Sequence, residues 1–255
     1  PQSHREGLAT YFRAYLRQFM LNWIEENPKP DGEKYNLYLD GLTIYTTLDS
    51  RMQTYAENAV KEHMSNLQDA FFEQNTPKWN PTAPFLDLTE KEIERLMEQA
   101  MKRSERWRKM KLAGKTEGDI KASFEEKTAM KIFSWKGEID TVMSPIDSIR
   151  HYKHFLRSGM MSMDPQTGHV KAWVGGINYK HFQFDHVFQG KRQIGSTFKP
   201  FVYASAIDQL KLSPCDSFPD GFYCVEARKF GAHEAWCPKN SGDRYTGKRT
   251  LKNAL

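Results

Sequence analysis

The chain has 255 residues, 39% of them hydrophobic and 13% aromatic, enough for one large core or two modest ones. Its formal charge of +5 is mild. Much of that charge sits in Lys102, Arg103, Arg106, Arg108, Lys109 and Lys111, which read as the polar face of one helix. No nucleic-acid motif accompanies that stretch, no apolar run reaches the roughly 18 residues of a membrane span, and no signal peptide opens the chain. Pro1 is not a natural start, so the chain reads as a piece of something longer.

Residues 7–26 read as helical or extended, with Leu8, Tyr11, Phe12, Tyr15, Leu16 and Phe19 on an apolar face. The run Pro28-Lys29-Pro30-Asp31-Gly32 then breaks the chain. Asp40-Gly41 makes a turn, and Leu42 to Leu48 alternates as a strand rich in β-branched residues. Asp49 and Ser50 open a helix, with Gln53 placed to close a capping box on Ser50. Its apolar face runs through Met52, Tyr55, Ala56, Ala59, Val60, His63, Met64 and Leu67, with His63 a core or boundary residue. Residues 75–88 form a proline-rich loop, and Thr89 with Glu92 caps a helix carrying Ile93, Leu96, Met97, Ala100 and Met101.

Lys131 to Val142 reads as a hairpin turning at Lys136-Gly137. Ser144-Pro145 starts another helix, expected to end at Ser158-Gly159 on a glycine cap. Met160 to Met163 and His169 to Val174 flank an Asp-Pro-Gln-Thr-Gly turn as a second hairpin, and Gly175-Gly176 marks a bend or a close approach. The histidines lack metal-ligand spacing, so no metal or cofactor is expected. Cys215, Cys224 and Cys237 contain no Cys-x-x-Cys pair; either all three are free or Cys224 and Cys237 close a disulfide in an oxidising compartment.

The most informative stretch is Arg192-Gln193-Ile194-Gly195-Ser196-Thr197-Phe198-Lys199-Pro200-Phe201. Ser196 and Lys199, three apart at a helix start, project from one face, so the amine can take the hydroxyl proton and activate the serine as a nucleophile. Free amides and the positive end of the helix dipole favour an anionic intermediate there. Gly195 allows close backbone approach, and Pro200 fits only if the helix has just begun. Phe198, Phe201, Val202 and Tyr203 are expected to bury the helix and desolvate Lys199, lowering its pKa. The plain alternative makes Ser196 a helix cap and Lys199 a surface residue. Asp185-His186 invites a Ser–His–Asp reading, but adjacent side chains point apart.

Three motifs in order resemble the class A penicillin-binding proteins, the bifunctional builders of bacterial peptidoglycan. Asp40 to Asp49 followed by Gln53 and Ala56-Glu57 is similar to the linker between that family's two catalytic domains. Met163 to Gly168 with Val174-Gly175-Gly176 resembles the opening hairpin of its transpeptidase domain, and Arg192 to Pro200 its nucleophile motif. The resemblance implies an α+β fold. Residues 1–155 would be a mixed α/β linker region, elaborated at about 75–140, and residues 156–255 the N-terminal part of a penicillin-binding/serine β-lactamase-like transpeptidase domain, an antiparallel sheet with helices.

It further implies that Ser196 attacks the D-Ala–D-Ala carbonyl of a stem peptide, that Lys199 is the base, and that the Ser196 amide supplies half of the oxyanion hole. β-Lactams would acylate the same serine. The parent would lie on the periplasmic side of the inner membrane, held by an anchor absent here; residues 75–140 would be a spacer or a contact for envelope proteins. No Ser-x-Asn and no Lys-Thr-Gly or Lys-Ser-Gly occurs in the chain, so it is expected to be inactive alone. A β-lactamase or a non-catalytic scaffold or β-lactam sensor are the competing readings.

Overall fold

The computed structural model describes residues 6–76, 78–231 and 233–254. The chain divides into two compact bodies, one reaching to Gly190 and one beginning at Lys191.

In the first body, helix α1 (Thr10–Glu26) opens after Ala9, which holds a left-handed φ of 56° and donates its N–H to Glu57 at 2.8 Å. The stretch 42–48 does not become a strand. Its end lies against Val170 and Lys171, with Thr47 Oγ1 donating to the Val170 carbonyl and Asp49 N–H to the Lys171 carbonyl, but no continuous backbone ladder forms. Helix α2 (Ser50–Gln74) is capped by Asp49, whose carboxylate accepts from Arg51 and Met52 N–H. The expected capping box on Ser50 is absent because Gln53 is turned inward and buried, bonding the backbone of Trp173. The buried stripe of α2 is Gln53, Ala56, Met64 and Gln68, whereas Met52, Tyr55, His63 and Leu67 are exposed. His63 is therefore a surface residue, displaced from the buried stripe by about one position of helical arc.

Helix α3 (Glu90–Lys102) starts on the expected Thr89–Glu92 box and buries Ile93, Met97 and Met101. The basic stretch is not one helix. Ser104 accepts from the Trp107 N–H and restarts the chain as α4 (Glu105–Leu112). Helix α5 (Glu117–Glu125), capped by Thr116, carries no long apolar run; its Ile120 and Phe124 are nearly solvent-free. Strands β1 (Thr128–Ser134) and β2 (Gly137–Met143) pair antiparallel around Trp135-Lys136, with Gly137 at φ 118°. Helix α6 (Pro145–Lys153) follows the Ser144 cap and stops at His154, short of Gly159. Gly159 is needed for closeness instead of capping, since a Cβ there would lie 2.9 Å from the His186 Cβ. Strands β3 (Met160–Met163) and β4 (Val170–Val174) form the second hairpin.

The core of this body is a chain of small clusters. Ile146 and Ile149 of α6 pack against both the Met101–Trp107–Ile120–Phe124 group and the Phe85–Ile93–Met97 group, so α6 is the seam of the helical part. Phe133, Phe155 and Phe182 join the β1–β2 hairpin to the loop after β4. Helix α2 lies on β4 through Ala56, Ala172 and Val174. Gln68 bonds the His154 carbonyl and the Leu156 N–H, so two buried glutamines of α2 fasten it to separate segments. Helix α1 covers the far side of Trp173, which stacks on Tyr15 at 5.1 Å between ring centres.

In the second body a short 3-10 turn (Gly195–Phe198) leads into α7 (Lys199–Leu210). Strands β5 (Ser217–Asp220) and β6 (Gly247–Thr250) pair antiparallel, and α8 (Leu251–Ala254) closes the described chain. Cys224 and Cys237 are bonded to each other, and Cys215 is free and exposed. The fold is mixed α and β, with three two-stranded sheets among the described residues. No helix among the described residues is long and apolar enough to cross a membrane.

Candidate active site

Ser196 and Lys199 lie three positions apart where a 3-10 turn runs into α7. Gly195 has φ +54°, a left-handed conformation that residues with a side chain rarely adopt. A Cβ there would meet nothing within 4 Å, so the glycine serves chain direction and not the close approach expected of it. From this kink the chain winds into the 3-10 turn, and the Lys199 N–H donates to the Ser196 carbonyl. In a 3-10 turn residues i and i+3 eclipse, which sets both side chains on one side. Thr197 Oγ1 donates to the Ile194 carbonyl at 2.6 Å and pins the turn from the opposite side. Pro200 falls in the first turn of α7, where its missing N–H costs nothing.

The expected burial does not occur. Helix α7 has no buried residue, and Phe198, Phe201 and Val202 are 51%, 65% and 51% exposed. Ser196 and Lys199 are both exposed. Desolvation of the lysine therefore is not supplied by its own helix; an apolar side chain excludes water only when a second surface covers it.

Asp185 is no partner for a catalytic histidine. Its carboxylate accepts from the Trp173 indole N–H at 2.9 Å and from the Val187 and Phe188 N–H groups. It holds the β4 tryptophan and the turn that follows. No group of metal-ligating side chains occurs among the described residues.

A residue the motif search missed organises the second body. Asp220, at the end of β5, accepts from Thr246 N–H and Oγ1, from Asn240 Nδ2 and from Arg249 Nε. These donors hold its carboxyl down to about 2. They close the base of the loop that the Cys224–Cys237 bond staples. Its signal in the sequence was faint: a Pro-Asp-Gly that reads as a turn and nothing more.

In chain order the structure sets two β-hairpins and a helical region before a turn that carries a serine and, three positions on, a lysine. The family described as the penicillin-binding protein middle domain matches residues 80–156, and the penicillin-binding protein transpeptidase domain matches residues 158–255. Penicillin-binding protein 1A of Rickettsia bellii is 27% identical over 238 residues, 88% of this chain and 30% of that protein. The Neisseria flavescens protein of the same name is 40% identical over 101 residues, 39% of this chain and 12% of its own length. The crystal structure of penicillin-binding protein 1A from Haemophilus influenzae shares the fold with a TM-score of 0.50 at 20% identity, covering 97% of this chain and 37% of that one. The chain belongs to the class A penicillin-binding proteins, and it spans about a third of the length of the curated relatives that match most of it.

Proposed function

We infer that this chain carries the nucleophile segment of a serine-type D,D-transpeptidase that cross-links peptidoglycan. The observation that carries the reading is the glycine-kinked turn on which Ser196 and Lys199 stand three positions apart, inside the stretch matching a transpeptidase domain. Ser196 Oγ attacks the carbonyl carbon of the D-Ala–D-Ala bond while Lys199 takes its proton. The Ser196 N–H faces the developing oxyanion. The C–N bond breaks, D-alanine leaves with a proton, and the amine of a second stem peptide then displaces the serine. β-Lactams acylate the same oxygen.

Exposed on α7, Lys199 is hydrated, and the chain contains neither a Ser-x-Asn nor a Lys-Thr-Gly. By itself it acylates slowly or not at all. The division into a linker region, residues 1–155, and a transpeptidase portion, residues 156–255, accompanies this reading. So does a place on the extracytoplasmic side of the membrane, where the Cys224–Cys237 bond is stable. Residues 75–140 serve as a spacer: Phe85, Ile93, Met97, Met101, Trp107, Ile120 and Phe124 are buried in clusters against α6.

The test is labelling by a fluorescent penicillin of three proteins: this chain, a longer form carrying the missing motifs, and that longer form with Ser196→Ala. Labelling of the longer form alone, lost in Ser196→Ala, is expected. A folded longer form that takes no label makes Ser196 a cap and the protein a scaffold.

A further inference from the structure

Two cavities of the first body share a wall. The first, about 410 Å³, lies between α1 and the loop 178–189. Its ring surfaces are Tyr15, Phe19, Tyr179 and Phe188, with Phe19 and Phe188 52% and 64% exposed. Its polar groups are the amides of Gln18, Asn22, Gln183 and Gln189, the hydroxyls of Tyr11, Tyr15 and Tyr179, and the Asp185 carboxylate. Gln18 donates to Asn22, which leaves the Gln18 carbonyl and the Asn22 NH₂ open, and Gln183 makes no hydrogen bond among the described residues. Its one charged lining residue, Asp185, is committed to Trp173 and its own turn. The second cavity, about 660 Å³, is lined by four cations, Lys102, Arg103, Arg108 and Lys111, and by two carboxylates, Glu105 and Glu117. Arg103, Arg108 and Lys111 have no ion-pair partner among the described residues. Gln183 lines both cavities.

The lining selects a ligand. Aromatic faces take flat C–H surfaces, and open amides need hydroxyl or acylamino partners, so a purely apolar guest would strand them. An ion would meet no free counter-charge in the first cavity. A peptide strand would need a sheet edge, and no strand borders it. A neutral sugar ring satisfies all three conditions. The adjoining basic cavity then suits an anionic substituent a short distance along the same molecule.

We propose that this surface, joined at Gln183, is a non-catalytic binding site for an anionic glycan, with a neutral ring against Phe19 and Phe188 and a carboxylate toward Arg108 and Lys111. It holds a polymer and does no chemistry on it, and it involves neither Ser196 nor Lys199. It therefore stands or falls separately from the acylation reading.

The test is isothermal titration of the full chain with peptide-free peptidoglycan glycan strands, which alternate neutral and carboxylate-bearing sugars. Neutral N-acetylglucosamine oligomers and polyglutamate are the comparison ligands. The glycan strands are expected to bind about tenfold tighter than the neutral oligomers, with the excess lost at high salt. Phe19→Ala with Phe188→Ala should weaken both sugars about tenfold. Arg108→Glu with Lys111→Glu should erase only the difference between them. These side chains are surface-exposed, and unchanged thermal melting verifies the fold; Gln183→Ala, a smaller change, should weaken both sugars too. Absence of glycan binding, equal affinity for neutral and anionic glycans, or polyglutamate binding as tightly as the glycan would each overturn the proposal.

Discussion

Residues 6–190 and residues 191–254 hold themselves together by different means. The first stretch carries every buried hydrophobic residue described: Ile120, Phe124, Phe182 and Ala172 are each 3% exposed or less. In the second no described residue is buried. It is held by the β5–β6 ladder, the Cys224–Cys237 bond and the donors around Asp220. The difference bears on function, because the proposed nucleophile lies in the stretch without a core. Ser196 and Lys199 are placed by a local turn, which needs no core, whereas tuning the lysine needs exclusion of water, which does.

The largest effect expected from breaking this contrast lies in the first body. Phe124→Ala, removing a ring that packs on Trp107, should cost about 3–5 kcal/mol in denaturant unfolding. Hydrogen exchange should rise across α3 to α6 and leave residues 191–254 at their wild-type rates. Spread of the change into that stretch would show that the two bodies unfold as one.

Next in size, Cys224→Ser with Cys237→Ser opens a 13-residue separation, and such a closure is worth ~3 kcal/mol by loop entropy. Limited proteolysis should then cut between residues 221 and 239 while residues 6–190 stay intact. An unchanged cleavage pattern would mean that the Asp220 contacts alone secure that loop.

The smallest effect is in pH. The donors around Asp220 lower its carboxyl from 3.8 to about 2, so it binds fewer protons folded than unfolded. The stability it contributes is fully present above about 4 and disappears as pH falls through about 2. Exchange of the Thr246 amide should accelerate over that window, and Asp220→Asn should abolish the pH dependence. A flat profile in the parent protein would remove Asp220 from its role.

Much of the local structure was legible from residue order. Thr89 with Glu92 and Ser144 with Pro145 start helices as they should, because a cap satisfies amides of its own turn. The Gly168 turn sits between two strands that pair as expected, with Gly168 at φ +72°. Where the sequence misled, a distant partner decided. The alternating run 42–48 has the pattern of a strand, yet it meets β4 only at its end and forms no ladder. Gln53 reads as a capping residue, yet it is 1% exposed and bonds Trp173, 120 residues away. Met52, Tyr55 and Leu67 look like the inner face of α2 but lie outside, because Gln53 and Gln68 found backbone partners and turned the helix toward them.

By itself, then, the order of residues determined the helix starts at Thr89 and Ser144, the two predicted hairpins and the family. Each depends on neighbours a few positions apart, whose geometry the backbone dictates. Only the tertiary structure decided which face of α2 is buried, that Cys224 and Cys237 meet, that Asp220 gathers four donor groups, and that α7 is bare. Those outcomes depend on what the rest of the fold brings close, and burial is a property of two surfaces, of which a sequence pattern describes one.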